Sequence, residues 1–491
     1  MDRFISRGRM GVVSISPQAS RVGVEILKEG GNAIDAYIAT QLSLEGFEPG
    51  WTGLGGGGFA LIYFDGSIRV LDFRETAPYQ VEKHVFTTEE LSIGYKAIAT
   101  PGMGRGLETL HDEYGELGLD YIIKKVLNHL GRGVTVSKLF SHSLKIFRSS
   151  YRKVIKHPYS KKIYLYGGRP PPKGMKLKIN GYLSLLKSIS REGFEVLYNG
   201  YAADILLDYI REGGGLIRDR DLRRYRTIWR RPLRYKLDGD LILYTTPPPS
   251  SGKLVVELYR RLEKVGDLDK MLESLRWIQD ARMLLQDPDR GIDHFYRFFN
   301  ESGSTAHFSV IDGNGNIVSA TTTLECFMGS GVTVEGLDLI LNDEMHDFTL
   351  EEGYNRLRGG SRPASSMAPS LLLKDDSPYL VLGASGGRRI FSALAQILYG
   401  HLVLGLDIDR AILRKRIHYD PGRGAYLVED DRDYSNLKSK GYKVFNALKE
   451  YPSPYDEDVS IMMGVVEALL IEASYVTGVS DPRKRCGAYL V

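Results

Sequence analysis

The chain of 491 residues reads GSTAHFSVI at residues 303–311, DGNG at residues 312–315 and NIVSATTT at residues 316–323. Alternating apolar and polar residues on both sides of Asp-Gly and Asn-Gly turn chemistry predict a β-hairpin. Its first strand begins with the pair Ser304 and Thr305, and its returning strand ends in three threonines. The segment therefore predicts a hairpin with hydroxyl groups on two neighbouring strands.

Thr305 would have the chemistry of a nucleophile if the peptide bond before it were broken. A free α-amino group beside its own hydroxyl can act as the base, because the pKa of such an amine lies near about 7.7–8. A threonine at the start of a strand is also ordinary β-propensity. The hairpin alone therefore leaves a catalytic and a structural interpretation open.

The rest of the chain carries further motifs that bear on this choice. They are ILKEGGNAIDA (residues 26–36), GLGGGGF (53–59), DFRETAP (72–78), TPG (100–102), PPPSSG (247–252), RPASSM (362–367) and GASGG (383–387). Together, in this order and over nearly the whole length, they resemble the γ-glutamyltranspeptidase (glutathione hydrolase) family of N-terminal-nucleophile hydrolases.

The resemblance implies an α/β fold, a four-layer αββα sandwich with an additional, mostly helical part. It also implies autocatalytic cleavage between Ser304 and Thr305. Residues 1–304 would form a large fragment (the α subunit), and residues 305–491 a small fragment (the β subunit) that begins with the nucleophile. Strands from both fragments would share one core, so we expect the fragments to stay associated.

The resemblance also implies the catalytic residues. Thr305 takes the place of the nucleophile, and Thr323 that of a second threonine whose hydroxyl orients it. Gly386 and Gly387 match the pair whose backbone N–H groups form the oxyanion hole, a role for which glycine is suited because no Cβ obstructs a ligand.

A γ-glutamyl donor presents an α-carboxylate and an α-ammonium group side by side. Arg74 matches the family's carboxylate-binding arginine, whose fork suits a carboxylate. Ser365 and Ser366 match a serine pair that binds the same carboxylate, and Glu344 and Asp347 match the acidic pair that binds the ammonium group.

Three features depart from the family pattern. Ala306 stands where a further threonine is usual. Glu325 replaces an asparagine of the substrate site and would bring three acids near one ammonium group, which would raise at least one carboxyl pKa. Only 14 residues, Thr349 to Arg362, separate Phe348 from Pro363, fewer than in members with a lid over the site.

Three functions remain open from these observations. The first is an autoprocessed γ-glutamyl hydrolase or transpeptidase that acts on glutathione-like γ-glutamyl amides, with water, an amino acid or a peptide as acceptor. The second is a related acylase or poly-γ-glutamate-processing enzyme. The third is a non-catalytic, anion-binding paralogue. No cofactor and no metal is expected.

Composition limits the class of protein. Hydrophobic residues make up 43% and charged residues 26%, as in globular proteins. The two cysteines, Cys326 and Cys486, suit neither a disulfide framework nor a metal site, and Cys326 is expected to be a buried structural residue in the middle of a strand. No signal peptide and no bilayer-spanning run is visible, so a cytoplasmic location is expected. The 6 Gln and 11 Asn against 65 Lys+Arg suggest a thermostable protein.

The positive charge is concentrated in one stretch. Residues 121–191 contain 17 Lys or Arg and no acidic residue. Such a stretch can attract a polyanion, or it can be a solvated face paired with acids elsewhere in the fold.

Local patterns predict several elements. Helices are expected at residues 17–29, 32–44, 102–119, 182–191, 200–211, 253–264, 269–285 and 390–404, and strands at residues 59–64 and 68–73.

Overall fold

Two antiparallel sheets of seven strands each form the centre of the structure. The computed structural model describes residues 4–282, 303–485 and 487–491. The strands are β1 (Ile5–Gly8), β2 (Gly11–Ser14), β3 (Gly57–Phe64), β4 (Ser67–Phe73), β5 (Val134–Thr135), β6 (Lys176–Leu177), β7 (Ile228–Arg230), β8 (Leu233–Lys236), β9 (Leu241–Thr245), β10 (Gly303–Ile311), β11 (Ile317–Cys326), β12 (Thr333–Val334), β13 (Leu339–Ile340), β14 (Ser370–Lys374), β15 (Ser377–Ser385), β16 (Ile417–Asp420), β17 (Ala425–Val428), β18 (Val444–Asn446), β19 (Val465–Ile471), β20 (Val476–Ser480) and β21 (Gly487–Leu490).

The two sheets interleave the chain on either side of residue 305. The first sheet has the strand order β21-β2-β10-β11-β3-β4-β7, and the second has the order β1-β20-β19-β15-β14-β9-β8. In the first sheet β10 and β11 lie between β2 and β3, and in the second β14 pairs with β9. Main-chain hydrogen bonds therefore join the parts of the chain before and after Thr305 in both sheets.

Helices cover the outer face of each sheet and form an additional part that packs against these helices. They are α1 (Pro17–Lys28), α2 (Ala33–Phe47), α3 (Met103–Tyr114), α4 (Leu119–Leu130), α5 (Lys138–Ile146), α6 (Arg148–Lys156), α7 (Pro158–Tyr164), α8 (Asn180–Glu192), α9 (Tyr201–Glu212), α10 (Asp219–Arg224), α11 (Gly252–Leu262), α12 (Leu268–Asp280), α13 (Ile390–Leu398), α14 (Ile408–Leu413), α15 (Asp431–Ser439) and α16 (Ala447–Glu450). Helices α4 to α10 form the predicted helical part before residue 305.

Three apolar clusters separate the four layers. Phe308 belongs to the cluster between the first sheet and helices α1 to α4. Leu61 and Val381 lie in the cluster between the sheets, whereas Leu382, the neighbour of Val381, packs with Phe391 of α13 behind the second sheet. Adjacent strand residues thus point into different layers, as the period of two requires. The predicted αββα sandwich is confirmed.

The hairpin predicted from residues 303–323 is present as β10 and β11. Their register pairs Thr305 with Thr323 and Ile311 with Ile317. The turn is held by the Asp312 carboxylate, which accepts the backbone N–H groups of Asn314 and Asn316 at 2.9 Å each. Local turn chemistry therefore suffices to define this hairpin.

The first two helices form where their capping residues predict them. The Ser16 hydroxyl accepts the N–H of Ala19 at the start of α1. Asn32 and Asp35 form a capping box at the start of α2. Side-chain oxygens at these positions satisfy N–H groups that the helix itself leaves unpaired.

Some predicted boundaries differ from the structure. The helix expected over residues 102–119 ends at Tyr114, because the N–H groups of Glu116 and Leu117 donate to the Asp35 carboxylate of α2. Helix α13 ends at Leu398 and continues as a π-helical turn to residue 403. Cys326 is buried as predicted, but it is the last residue of β11 and not a mid-strand residue. Residues 283–285 of the predicted helix and Cys486 lie outside the described residues.

Part of the charge of the basic stretch is neutralised within the fold. Lys125 forms an ion pair with Glu29 at 2.6 Å, and Lys156 forms one with Glu89 at 2.6 Å. Lys153 is buried and points inwards to Asp343. Contact of a polyanion with this stretch stays a prediction.

None of the helices in the described ranges combines the length and the apolar composition that crossing a bilayer requires.

Gly383 of β15 allows the two sheets to approach each other, and we predict that Gly383→Ala destabilises the protein. A Cβ at this position would lie 2.2 Å from the imidazole of His307 on β10. We expect a loss of about 1–3 kcal/mol in the free energy of unfolding, as for other overpacked cores, measured by chemical denaturation. Gly266→Ala is the control, since a Cβ there meets no atom within 4 Å. Equal unfolding midpoints for the two variants would contradict this packing.

Candidate functional site

The peptide bond between Ser304 and Thr305 lies at an irregularity in the first sheet. Ser304 pairs with Glu325 and Thr305 with Thr323, so Leu324 is an extra residue in β11. Glu325 adopts a φ of +71° after this bulge. A β-bulge bends its strand and redirects side chains. The bulge therefore fixes the direction of the Ser304 carbonyl group relative to the neighbouring strand.

The hydroxyl of Thr323 connects the groups around this bond. It donates a short hydrogen bond to the Ser304 carbonyl oxygen and lies 3.4 Å from Thr305 Oγ1. It accepts the backbone N–H of Glu325 at 2.9 Å. Thr305 is 3% exposed, so these contacts are shielded from water. The structure thus brings Thr305, Thr323 and the Ser304 carbonyl together.

Ser304 is itself anchored. Its hydroxyl group contacts the carbonyl oxygens of Gly50 and Trp51 at 2.6 and 2.7 Å. These residues precede the glycine-rich segment that leads into β3. The bond before Thr305 is therefore held from both sides, by β11 and by the 50–51 loop.

Gly386 and Gly387 follow the end of β15. Their φ angles are +131° and +59°, which side chains other than glycine rarely adopt. A Cβ on Gly386 would also lie 3.0 Å from Gly464 Cα. The preceding residue, Ser385, shares the ammonium group of Lys484 with the Thr305 carbonyl oxygen. The glycine pair therefore directly follows Ser385, which is linked to Thr305 through the Lys484 ammonium group.

Arg74 lies directly after β4 in a fully buried position. Its Nη2 contacts Glu344 at 2.5 Å and Asp347 at 2.7 Å, and its Nη1 lies 3.3 Å from Glu75. Its Nε has no hydrogen-bond acceptor among the described residues. Burial alone would lower the arginine pKa, but the carboxylates of Glu344, Glu75 and Asp347 raise it above its ordinary value.

The predicted cluster of three acids is present. The carboxylate oxygens of Glu325, Glu344 and Asp347 lie within 4.8 Å of one another. Burial raises the pKa of Glu325 and of Glu344 well above the ordinary value, and the nearby acids raise both further. Glu325 therefore lies beside Glu344 and Asp347, and carboxyl pKa values are raised there, as the sequence predicts.

The backbone around these acids is tied to the first sheet through Asn342. Its side chain donates to the carbonyls of Gly55 and Ala99 at 2.7 and 2.9 Å, and its oxygen accepts the N–H of Glu344 at 3.0 Å. Glu344 and Asp347 occupy the 3₁₀ turn that follows. A buried amide thus sets the position of the acidic turn.

Ser365 and Ser366 lie in the segment before β14, and both are buried. Their neighbour Ala364 places its carbonyl oxygen 3.5 Å from Arg74 Nη2. The Ser365 backbone is held by the Pro249 carbonyl at 2.7 Å. The serine pair therefore directly follows a residue that contacts Arg74.

The other two features that depart from the family pattern are Ala306 and the short segment 349–362, and they lie in different surroundings. Ala306 packs in the apolar cluster beneath the first sheet, away from the charged pocket. Residues 349–362 are irregular, with Leu350 44% exposed. The N–H of Ala77 donates to the Ser361 carbonyl, which attaches this segment beside the residues that follow Arg74.

Several charged groups of the site, among them Glu75, Lys153 and Lys484, were not identified from the sequence. Glu75 is buried against Arg74, and burial raises its pKa to about 7. Lys153 of α6 forms a buried ion pair with Asp343 at 2.5 Å. Lys484 reaches Thr305 from the C-terminal segment. Glu75 follows Arg74 directly and could have been inspected, whereas no local pattern indicates that the two lysines point inwards.

One mixed cluster has the residue types of a metal site. Ligand atoms of Glu325, Cys326 and His346 lie within 4.8 Å of one another. The buried ammonium group of Lys153, however, forms hydrogen bonds to Asp343 and to Cys326. A cation of the protein itself therefore already occupies the surroundings of this cluster.

Comparison with known proteins agrees with this architecture. The sequence model of the Gamma-glutamyltranspeptidase family matches residues 19–299 and 293–491. The chain is 30% identical to the glutathione hydrolase proenzyme of Pseudomonas aeruginosa, over 95% of this chain and 92% of that protein. It is 29% identical to the Escherichia coli glutathione hydrolase proenzyme, over 97% and 91%. Cephalosporin acylase from Bacillus halodurans superimposes with a TM-score of 0.83 at 22% identity, covering 100% of this chain and 97% of that one.

Two stacked antiparallel sheets with helices on both outer faces define a fold of the N-terminal-nucleophile hydrolase type. The family model matches nearly the whole length of the chain. The chain is an enzyme that belongs to the gamma-glutamyltranspeptidase family.

The position of the Thr323 hydroxyl leads to a prediction about chain cleavage. Thr323→Val removes the hydrogen bond to the Ser304 carbonyl oxygen, on which negative charge would develop during attack by Thr305. We expect cleavage to slow by about 10²–10³-fold, the cost of one lost oxyanion donor, in a time course of freshly purified precursor on a denaturing gel. Thr323→Ser keeps the hydroxyl and is the control. Cleavage of the valine variant at the wild-type rate would exclude this role.

Proposed function

We propose that this enzyme cleaves its own chain between Ser304 and Thr305 and then acts as a γ-glutamyl hydrolase or transpeptidase through Thr305. The observation that carries the proposal is the contact set at the bulge. Thr305 Oγ1 lies 3.4 Å from Thr323 Oγ1, whose hydrogen is donated to the carbonyl oxygen of the peptide bond to be broken. Nucleophile, oxyanion donor and target carbonyl are thus neighbours in a buried site.

Self-cleavage follows as an N-to-O acyl shift. Thr305 Oγ1 attacks the Ser304 carbonyl carbon, the C–N bond breaks and the proton passes to the nitrogen, which becomes the α-amino group of Thr305. Water then hydrolyses the resulting ester and releases the Ser304 carboxylate. The large fragment ends at Ser304, and the small one begins at Thr305.

The same groups support the reaction on a substrate. The α-amino group of Thr305 accepts the hydroxyl proton while Oγ1 attacks the γ-carbonyl carbon of the donor. The backbone N–H groups of Gly386 and Gly387 would stabilise the oxyanion. The proton passes to the departing amine, and a γ-glutamyl ester remains on Thr305. Water, or the amine of an amino acid or peptide, then releases the acyl group.

The charges of the pocket favour a donor with an α-ammonium group. Among the described residues, five carboxyl groups, Glu75, Glu325, Asp343, Glu344 and Asp347, lie near four cations, Arg74, Lys153, Arg282 and Arg388. The pKa values of Glu75, Glu325 and Glu344 are raised, so a bound ammonium group would favour the ionised forms of these acids and would find a negative partner among them. The unpaired Nε–H of Arg74 is a buried donor available to the neighbouring carboxylate of such a substrate.

A second candidate is an acylase for donors that lack the ammonium group. One observation favours it: Glu344 and Asp347, the two acids expected to hold that group, both contact Arg74. Arg74 therefore neutralises part of the negative charge of these two acids. The two candidates differ in what Glu325 does, since it is the third acid of the cluster.

Thr305→Ala tests the proposed nucleophile. We predict that this variant stays full length, because no hydroxyl remains to attack the Ser304 carbonyl. Thr305→Ser is the matched control and should still cleave. A denaturing gel with N-terminal sequencing of the smaller band checks both. Cleavage of the alanine variant at this bond would refute the assignment, and an uncut wild type would favour the non-catalytic paralogue.

Glu325→Asn separates the two donor classes. We predict that the variant raises KM for a γ-glutamyl anilide by about tenfold, on the scale of one hydrogen bond to a charged group. An acyl anilide without the α-amino group should be hydrolysed poorly by wild type and equally poorly by the variant. Glu335→Asn, on the exposed surface, controls for the substitution itself. If wild type hydrolyses both anilides equally well, the acylase candidate replaces the γ-glutamyl one.

A further inference from the structure

We infer that Lys484 is a positioning residue of this site: it holds the main chain of Thr305, and its positive charge keeps the α-amino group of Thr305 in the free-base form. The inference rests on the proposed function, since it concerns the base of that reaction. It assigns a role to a residue of the C-terminal segment, which lies 179 positions from Thr305 in the sequence.

Lys484 contacts the nucleophile directly through its main chain. Its Nζ donates to the Thr305 carbonyl oxygen at 3.0 Å and to Ser385 Oγ at 2.8 Å. It also lies 3.7 Å from the centre of the Trp51 ring, the residue whose carbonyl oxygen accepts the Ser304 hydroxyl. Lys484 is 1% exposed. One buried ammonium group therefore links Thr305, the residue before the glycine pair and the loop that anchors Ser304.

A cluster of buried ion pairs fixes the segment from which Lys484 projects. Asp481 pairs with Arg416 at 2.8 Å and with Arg483 at 3.1 Å, and Arg483 pairs with Glu429 at 2.6 Å. The Asp481 carboxylate also accepts the backbone N–H of Val466 in β19 at 3.2 Å. Buried charges in such a network are costly to move once their partners are in place. The position of the Lys484 backbone is thereby set independently of Thr305.

The contact persists when the Ser304–Thr305 bond is broken. The carbonyl group that accepts from Lys484 belongs to the next peptide bond, between Thr305 and Ala306. Bond lengths place the α-nitrogen of any residue within about 4 Å of its own carbonyl oxygen. Lys484 Nζ therefore lies within about 7 Å of the new α-amino group, since its distance to that oxygen is 3.0 Å.

A cation at this distance favours the neutral form of the amine. A second positive charge on Thr305 would be repelled in a site shielded from water. The acidic groups that face Lys484 are Glu467 of β19, Asp481 of its own segment and Glu48 after α2. Asp481 is already paired with two arginines, and Glu48 with Arg485. Burial lowers the pKa of Lys484 to about 7, and its acidic neighbours act in the opposite direction. The lysine therefore carries its charge in the acidic pH range, where it would oppose protonation of the amine.

The pH dependence of kcat/KM for a γ-glutamyl anilide tests the inference on the processed, two-fragment enzyme. Lys484→Gln removes the charge but keeps a donor for the Thr305 carbonyl oxygen, and Lys484→Met removes both. Without the cation the amine binds its proton more tightly, so the acid limb should move to higher pH by about one unit in both variants. The methionine variant should also lose plateau kcat, whereas the glutamine variant should keep most of it. Lys438→Met, an exposed lysine of α15, is the control.

A second measurement does not depend on turnover. The rate at which acetic anhydride acylates the Thr305 α-amino group, followed by mass spectrometry against pH, reports the protonation of that amine directly. A wild type and a glutamine variant with the same acid limb and the same acylation profile would overturn the role of Lys484 and leave the proposed function intact. A wild type that neither cleaves at Thr305 nor hydrolyses the anilide would overturn both.

Discussion

The bulge in β11, opposite the start of β10, determines the geometry of the site, because a regular ladder would bind the Ser304 carbonyl group to a backbone N–H of β11. The extra residue Leu324 releases this carbonyl from the ladder, and the Thr323 hydroxyl takes over as its donor. The positive φ of Glu325 then returns a backbone N–H to the same hydroxyl. A side chain thereby replaces a main-chain donor at one peptide bond in the middle of a sheet. This exchange places the Thr323 hydroxyl at the Ser304 carbonyl group and gives that carbonyl oxygen a hydrogen-bond donor.

The protein buries two groups of charged residues around this bond, and the two groups have different consequences. The Arg416, Asp481, Arg483 and Glu429 cluster is nearly balanced, so it acts as a rigid support for the C-terminal segment. The pocket of Arg74 is not balanced, and the pKa values of Glu325, Glu344 and Glu75 are all raised. Burying acids without full compensation costs free energy, and the raised pKa values are one expression of that cost. A bound cation would favour the ionised forms of these acids.

Elements defined by near neighbours could be predicted from the sequence, and elements defined by distant ones could not. The turn residues after Ile311 predict the hairpin, and the capping residues Ser16 and Asn32 predict the starts of two helices. The break after Tyr114 depends on Asp35, which reaches it from another helix. The pairing of Thr305 with Thr323 across the two strands follows from the register of the hairpin. The family motifs predict that Glu325 lies beside Glu344 and Asp347. Lys153 and Lys484 resemble any surface lysine in sequence, because only tertiary contacts turn them inwards.

The interleaving of strands from both sides of Thr305 changes the thermodynamics of the molecule once that bond is broken. Before cleavage, unfolding is a unimolecular process, and the chain can refold by itself. Afterwards two chains of different sequence would have to find each other, each with half of both sheets and with exposed edges that pair readily with the wrong partner. Stability would then depend on concentration, and a melted molecule would be more prone to aggregate than to reassemble. The lifetime of the cleaved protein at high temperature would therefore be set by its rate of unfolding. Heat inactivation would be effectively irreversible.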